Sequence, residues 1–146
     1  MAEKIRILFL CTGNSCRSQM AEAWTRQLKG ALINPYSAGI LKHGLNPDAV
    51  TVMREAGIDI SGYRSKTVSE LPADLTFHYV ITLCDNAAET CPFFPAETAV
   101  MHRGFDDPPQ LARGAATTEE RLAPYRRVRD EIKAFILTLP PALSTT

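Results

Sequence analysis

The chain has 146 residues, 45% apolar and 22% charged, a balance that fits one soluble globular domain with an ordinary hydrophobic core. Lys plus Arg and Asp plus Glu number 16 each, so the formal net charge is zero and no global basic field exists for nucleic acid or an anionic membrane. The apolar run at 7–12 is too short for a secretory core and far too short to span a bilayer, so a cytoplasmic protein with no membrane partner is expected. Its four cysteines then read as catalytic, redox-active or metal-binding rather than as structural staples.

Residues 5–10 form a β-rich apolar segment that runs straight into a Gly-containing loop at 11–18. From Ser18 the pattern turns helical, with Met20, Ala23, Trp24 and Leu28 on one face and Gly30 as the stop. A second strand fits 31–38, ended by Gly39. Asn46-Pro47-Asp48 opens a helix with Pro47 at its first position, Val50, Met53 and Ala56 inward, and Gly57 at its end. A third strand at 77–83 is nearly all apolar and reads as buried on both faces, and a fourth fits 98–103. After Pro108-Pro109, a long amphipathic helix is expected at 118–139, with Leu122, Val128, Ile132, Phe135, Ile136 and Leu139 on its apolar side. Arg126, Arg127 and Arg129, mixed with Asp130 and Glu131, read as a solvated face. Trp24 and Tyr125 read as packing residues, and His43, His78 and His102 are too scattered to be assigned as ligands. One domain at 1–139 with a frayed tail at 140–146 is expected.

Strands alternating with helices imply βαβ units, a parallel sheet and helices on both faces. Such sheets bind ligands at the carboxyl ends of their strands. The loop at 11–18, the segment from Cys84 onward and Asp106-Asp107 all follow strands, so they are expected on one rim.

The loop Cys11-Thr12-Gly13-Asn14-Ser15-Cys16-Arg17-Ser18 leaves a strand and enters a helix. There, successive backbone N–H groups and the helix N-terminus can converge on one tetrahedral anion. Gly13 permits the tight turn, Asn14 tolerates a left-handed backbone, and Arg17 adds a planar fork for two oxygens. Cys11 at the mouth has its thiolate stabilised by the same dipoles, and Ser18 can donate a hydrogen bond to it. A Walker-type loop is excluded, because the Gly-Lys-Ser/Thr ending is missing.

The Cys11…Arg17-Ser18 spacing, followed by Met20-Ala21-Glu22-Ala23, resembles the low-molecular-weight tyrosine phosphatase superfamily. Ser37-Ala38-Gly39, His43-Gly44-Leu45-Asn46-Pro47 and Gly57-Ile58-Asp59-Ile60 extend the resemblance along nearly the whole chain. It implies a four-stranded parallel sheet in order 2-1-3-4. Asp107, directly before Pro108, matches the family's general acid. Phosphate hydrolysis would need only Cys11, Arg17 and Asp107. No aromatic residue follows Asp107, and that departs from the tyrosine phosphatases.

Cys84 and Cys91 make the chain more similar to the thioredoxin-coupled arsenate reductase branch. That resemblance implies a relay in which Cys11 attacks arsenate, Cys84 attacks Cys11 to release arsenite, and Cys91 then forms a disulfide with Cys84. Thioredoxin, an external partner, would reduce that bond, and no bound cofactor is implied. The intervening Asp85-Asn86-Ala87-Ala88-Glu89-Thr90 is small, polar and helix-compatible, which suits a segment that unwinds cheaply. A zinc half-site is disfavoured, since six residues separate the pair and no companion pair lies nearby.

Cys16 could pair with Cys11, but packing is the simpler reading. Asn14, Glu22 and Ser37 match positions that hold potassium in some relatives, where this chain has Lys66 in place of an acid. The expectation is that the Lys66 ammonium pairs with Glu22 and replaces the ion. Phosphate and sulfate would act as substrate analogues, and a monomer is expected. The alternatives left open are a phosphatase using Cys11, Arg17 and Asp107, and a non-catalytic oxyanion or redox sensor.

Overall fold

The first strand, β1 (Ile5–Cys11), contains four successive residues, Ile7, Leu8, Phe9 and Leu10, that are fully buried. A strand shielded on both faces belongs inside a parallel sheet. The computed structural model, which describes residues 4–84 and 99–141, places β2 (Ile33–Gly39) on one side of β1 and β3 (Tyr79–Thr82) on the other. The edge beyond β3 is β4 (Ala99–His102), so the order is β2-β1-β3-β4 with every pair parallel. The parallel direction is the one expected from the alternation of strands and helices, and the order is the one that the family resemblance implies.

Side-chain alternation divides the core between the two faces. Ile7, Phe9, Cys11, Ile33 and Ile81 join the larger cluster. It is completed by α1 (Arg17–Lys29), α2 (Pro47–Glu55) and α4 (Thr118–Leu137), through residues such as Met20, Trp24, Met53, Val128 and Ile132. Leu8, Leu10, Ala38 and Val80 turn to the other face. There Phe77 closes a smaller cluster, with Tyr36, Val68, Leu71 and Leu75 against it.

Several details depart from the sequence expectation. The third strand is shorter than expected, with a bend at His78 and Leu83 outside it, and among the described residues the fourth spans Ala99–His102. The inward residues of α2 are Ala49, Val52 and Met53, with Val50 only half-buried and Ala56 exposed. Asn46 caps that helix, accepting from the amides of Asp48 (2.8 Å) and Ala49 (3.1 Å). A one-turn helix, α3 (Pro108–Leu111), is too short to leave a periodic signal. The arginine face of α4 is not merely solvated. Arg126 and Arg129 both reach Glu55 at the end of α2, at 2.8 and 3.3 Å, and Arg127 reaches Asp106 at 2.8 Å. The tail at 142–146 lies outside the described residues.

Candidate active site

The loop between β1 and α1 is held from behind. Thr12 O accepts from the amides of Ile40 (3.0 Å) and Leu41 (3.1 Å), and Gly13 O from the His43 amide (3.1 Å) and the Ser65 hydroxyl (3.0 Å). Asn14 O accepts from the Gln19 amide group (3.0 Å), Ser15 O from the Asn46 amide (3.0 Å) and Cys16 O from the Met20 amide (3.0 Å). Five successive carbonyls are thus tied outward. A peptide plane directs its N–H opposite to its C=O, so the loop amides are turned toward the cavity that Cys11, Thr12, Gly13, Ser15, Cys16 and Arg17 line. The first turn of α1 adds to this, since Cys16 at its N-cap makes no side-chain capping bond and no acidic residue lies there. A helix start left uncapped by its own chain and facing a cavity is an anion site.

Asn14 has φ 47°, the left-handed conformation that the sequence anticipated. Its side-chain amide is oriented by its surroundings, because Oδ1 accepts from the Lys66 backbone N–H (2.8 Å) and from Gln19 (3.0 Å). Nδ2 therefore donates to Ser18 Oγ (2.8 Å), and Ser18 is left to direct its own proton at Cys11 Sγ, 3.0 Å away. That bond stabilises a thiolate at a buried sulfur.

Arg17 is 3% exposed, donates to Phe105 O (3.1 Å) and lies 3.5 Å from Asp107 Oδ1. Asp107 sits at the N-cap of α3 yet makes no side-chain cap bond there. Its carboxylate faces Arg17 and the cavity instead, as a proton donor for a leaving group must. The cavity measures about 410 Å³ and extends outward past His43, Asn46, Gln110 and Arg113.

Lys66, Glu22 and Ser37 come together behind the loop. Ser37 donates to Glu22 Oε1 (2.6 Å), while Lys66 Nζ lies 4.0 Å from the same oxygen and donates to Ser37 Oγ (3.5 Å). Arg26 holds the other Glu22 oxygen at 2.9 Å. Burial pulls the Lys66 ammonium below the usual lysine range, with Glu22 acting against that pull.

Cys11 and Cys16 are free thiols, and Cys84 is held in a disulfide. Burial pushes the Cys16 thiol well up, and the neighbouring Cys11 adds to the shift, which suits a protonated packing residue. Cys84 does not line the cavity. It follows β3, whose last ladder bond runs from the Leu83 amide to Leu10 O (2.8 Å), so it stands one strand away from Cys11 on the same rim. Cys91 and the segment 85–90 lie outside the described residues. Among the described residues no cluster of potential metal ligands occurs, and no helix is long and apolar enough to cross a membrane.

Two contributors escaped the sequence reading. A side chain at Gly39 would put a carbon 2.8 Å from Thr12 O and Asn14 N, and 2.9 Å from Cys11 O, so β2 can pass the loop only with glycine there. The His43 ring occupies the space that a side chain at Gly13 would need, so Gly13 is required for room rather than for an unusual φ.

Residues 6–144 match the family of low molecular weight phosphotyrosine protein phosphatases. The chain is 51% identical over 135 residues to an arsenate reductase of Halalkalibacterium halodurans, covering 90% of this chain and 92% of that one. It is 54% identical over 132 residues to an arsenate reductase of Bacillus licheniformis, with 88% and 90% covered. A solved arsenate reductase in its phosphate-binding state superposes with a TM-score of 0.68 at 28% identity, covering 93% of this chain and 99% of its own.

Proposed function

The chain belongs to the low molecular weight phosphotyrosine protein phosphatase family, and on that premise we propose that it is an arsenate reductase working through a cysteine relay. The observation that carries this reading is the position of Cys84, a second sulfur at the end of the strand beside the one that delivers Cys11. Phosphate hydrolysis has no use for it.

The loop amides and Arg17 hold three oxygens of arsenate. The Cys11 thiolate attacks arsenic, and the displaced hydroxide takes a proton from Asp107 and leaves as water. The Cys84 thiolate then attacks Cys11 Sγ. A sulfur–sulfur bond forms, and the sulfur–arsenic pair stays on arsenic, which falls from the +5 to the +3 state and departs as arsenite. Cys91 attacks Cys84 in turn, freeing Cys11 and leaving a Cys84–Cys91 disulfide for thioredoxin. A relay that ends on a reducible disulfide suits a reducing compartment, so we place the enzyme in the cytoplasm.

In a thioredoxin-coupled assay, Cys84→Ser abolishes NADPH consumption on arsenate. Mass spectrometry after one turnover finds the Cys84–Cys91 bond in the unaltered protein, and its absence would overturn the relay. The second reading, a phosphatase, is favoured by Asp107, whose carboxylate faces the cavity rather than capping α3. It requires that Cys84→Ser hydrolyse aryl phosphates at the unaltered rate.

The Lys66 ammonium supplies a positive charge to Glu22 from within the chain, which supports activity independent of potassium. Exchanging sodium for potassium leaves turnover unchanged on this reading, and a clear rise would refute it.

A further inference from the structure

The loop carbonyls are not all held alike. Thr12 O and Gly13 O each have two donors, whereas among the described residues Ser15 O has one, the Asn46 amide at 3.0 Å. That bond decides the direction of an N–H, because the Ser15 carbonyl and the Cys16 N–H belong to one peptide plane. With the carbonyl turned outward, the N–H is turned into the cavity. Whatever fixes Asn46 therefore fixes one of the amides offered to the anion.

Asn46 is itself held at three points. Its amide ties the loop, and its Oδ1 takes the amides of Asp48 (2.8 Å) and Ala49 (3.1 Å) at the start of α2. Its Nδ2 donates to Tyr125 Oη (3.1 Å) on α4. With Oδ1 committed to α2, the orientation of the side-chain amide is settled. Tyr125 is 3% exposed, and its ring packs in the same cluster as Val128, so the hydroxyl is a stationary acceptor. Burial pushes the phenol up to about 12 against the pull of the Asn46 bond. It stays a neutral hydroxyl near neutral pH and brings no phenolate charge close to a dianion.

We infer that the Tyr125 hydroxyl is a positioning group for the oxyanion cradle, acting through Asn46 and the Ser15 carbonyl on the Cys16 N–H. The inference rests on the cradle and not on the relay, since it serves arsenate and phosphate alike. A backbone N–H already aimed at the ligand costs no reorganisation when the anion arrives. Without the hydroxyl, Asn46 Nδ2 loses its acceptor in a part-buried place, and the tie on Ser15 O loosens with it. The helix α2 stays docked, because Arg121 holds Asp48 at 3.0 Å and Arg126 holds Glu55 at 2.8 Å. The effect is thus local to the cradle.

The test is calorimetric titration of the full-length protein with inorganic phosphate, with thermal unfolding measured in parallel. Tyr125→Phe keeps the ring and removes the hydroxyl, and should weaken phosphate binding about two- to tenfold, the range that one neutral hydrogen bond supplies. In amide NMR spectra of the phosphate complex, the Cys16 resonance should move in this variant. The Gly13 resonance, whose peptide is tied through Thr12 O, should stay. Asn46→Ser keeps an oxygen to cap α2 and deletes Nδ2, so adding Tyr125→Phe to it should cost no further affinity. Val128→Ala removes buried packing from the same helix, and should lower the unfolding temperature without changing phosphate affinity. Unchanged phosphate affinity in Tyr125→Phe would overturn the assignment, and so would an equal loss in the Asn46→Ser background. An equal loss in Val128→Ala would also overturn it, by marking the effect as one of stability alone. If the unaltered protein binds no phosphate, the cradle itself fails and the role of Tyr125 with it, a result distinct from the other three.

Discussion

At the scale of single residues, reactivity at Cys11 depends on a chain of three bonds that starts outside the loop. The Lys66 backbone orients Asn14, Asn14 fills the acceptor site of Ser18, and Ser18 turns its proton to the sulfur. Ser18→Ala removes one hydrogen bond to a charged group, and we expect kcat on arsenate to fall about 10- to 150-fold, from the roughly 1.5–3 kcal/mol such bonds contribute. Asn14→Ala should also slow turnover, because Ser18 is then free to rotate; equal kcat in both variants and the unaltered enzyme would sink the scheme. Gly39→Ala forces a carbon against three backbone atoms of the loop, and it should weaken phosphate binding measured calorimetrically before it alters any residue that touches the anion. Cys11, Arg17, Asn14 and Ser18 were legible in the sequence because their chemistry lies within eight consecutive positions. Gly39 and the His43–Gly13 contact were not, since each arises from a segment far along the chain approaching the loop closely.

At the scale of elements, the turn that carries Lys66 is stabilised by one carboxylate. Glu70 accepts from the Thr67 amide (2.9 Å) and pairs with Lys42 and Arg64 (3.2 Å each). These contacts, the Thr67 amide foremost, hold its carboxyl at about 2 against an ordinary 4.5. The folded state therefore binds that proton less readily than the unfolded chain does. Its stabilising contribution is complete above the ordinary value and is lost as pH falls from about 4.5 toward 2. Glu70→Gln should flatten the acid limb of a stability–pH curve in that window, and an unchanged limb would refute this. The turn at Val68–Glu70 and the four-residue α3 left no periodic trace, being shorter than the window in which periodicity can be seen. The inward face of α2 was misread because nine residues with few large apolar side chains permit two neighbouring faces.

At the scale of the whole molecule, α4 braces the construction. Its apolar side enters the cluster shared by α1, α2 and one face of the sheet, and its arginines fasten Glu55 on α2 and Asp106 beside Asp107. Ile132 is fully buried there, and Ile132→Ala should cost about 2–5 kcal/mol in denaturant unfolding. The parallel sheet and the helix succession were legible because continuous apolar strands and a twenty-residue amphipathic helix carry strong patterns, whereas the strand order rested on the family resemblance. The partners of the α4 arginines were not, because charge patterning within one helix does not say which carboxylate on another will meet it.

The outward-tied carbonyls of the loop have a consequence for selectivity. A cradle braced by so many backbone bonds is already shaped when empty, so it accepts any tetrahedral dianion of suitable size. Phosphate and arsenate differ too little in outline for such a mould to reject one of them. On the proposed relay, what separates them is the fate of the adduct on Cys11: arsenic can take an electron pair from sulfur and leave, whereas phosphorus cannot. Discrimination on that reading falls on the electron-accepting capacity of the bound atom, and phosphate is expected to compete reversibly with arsenate.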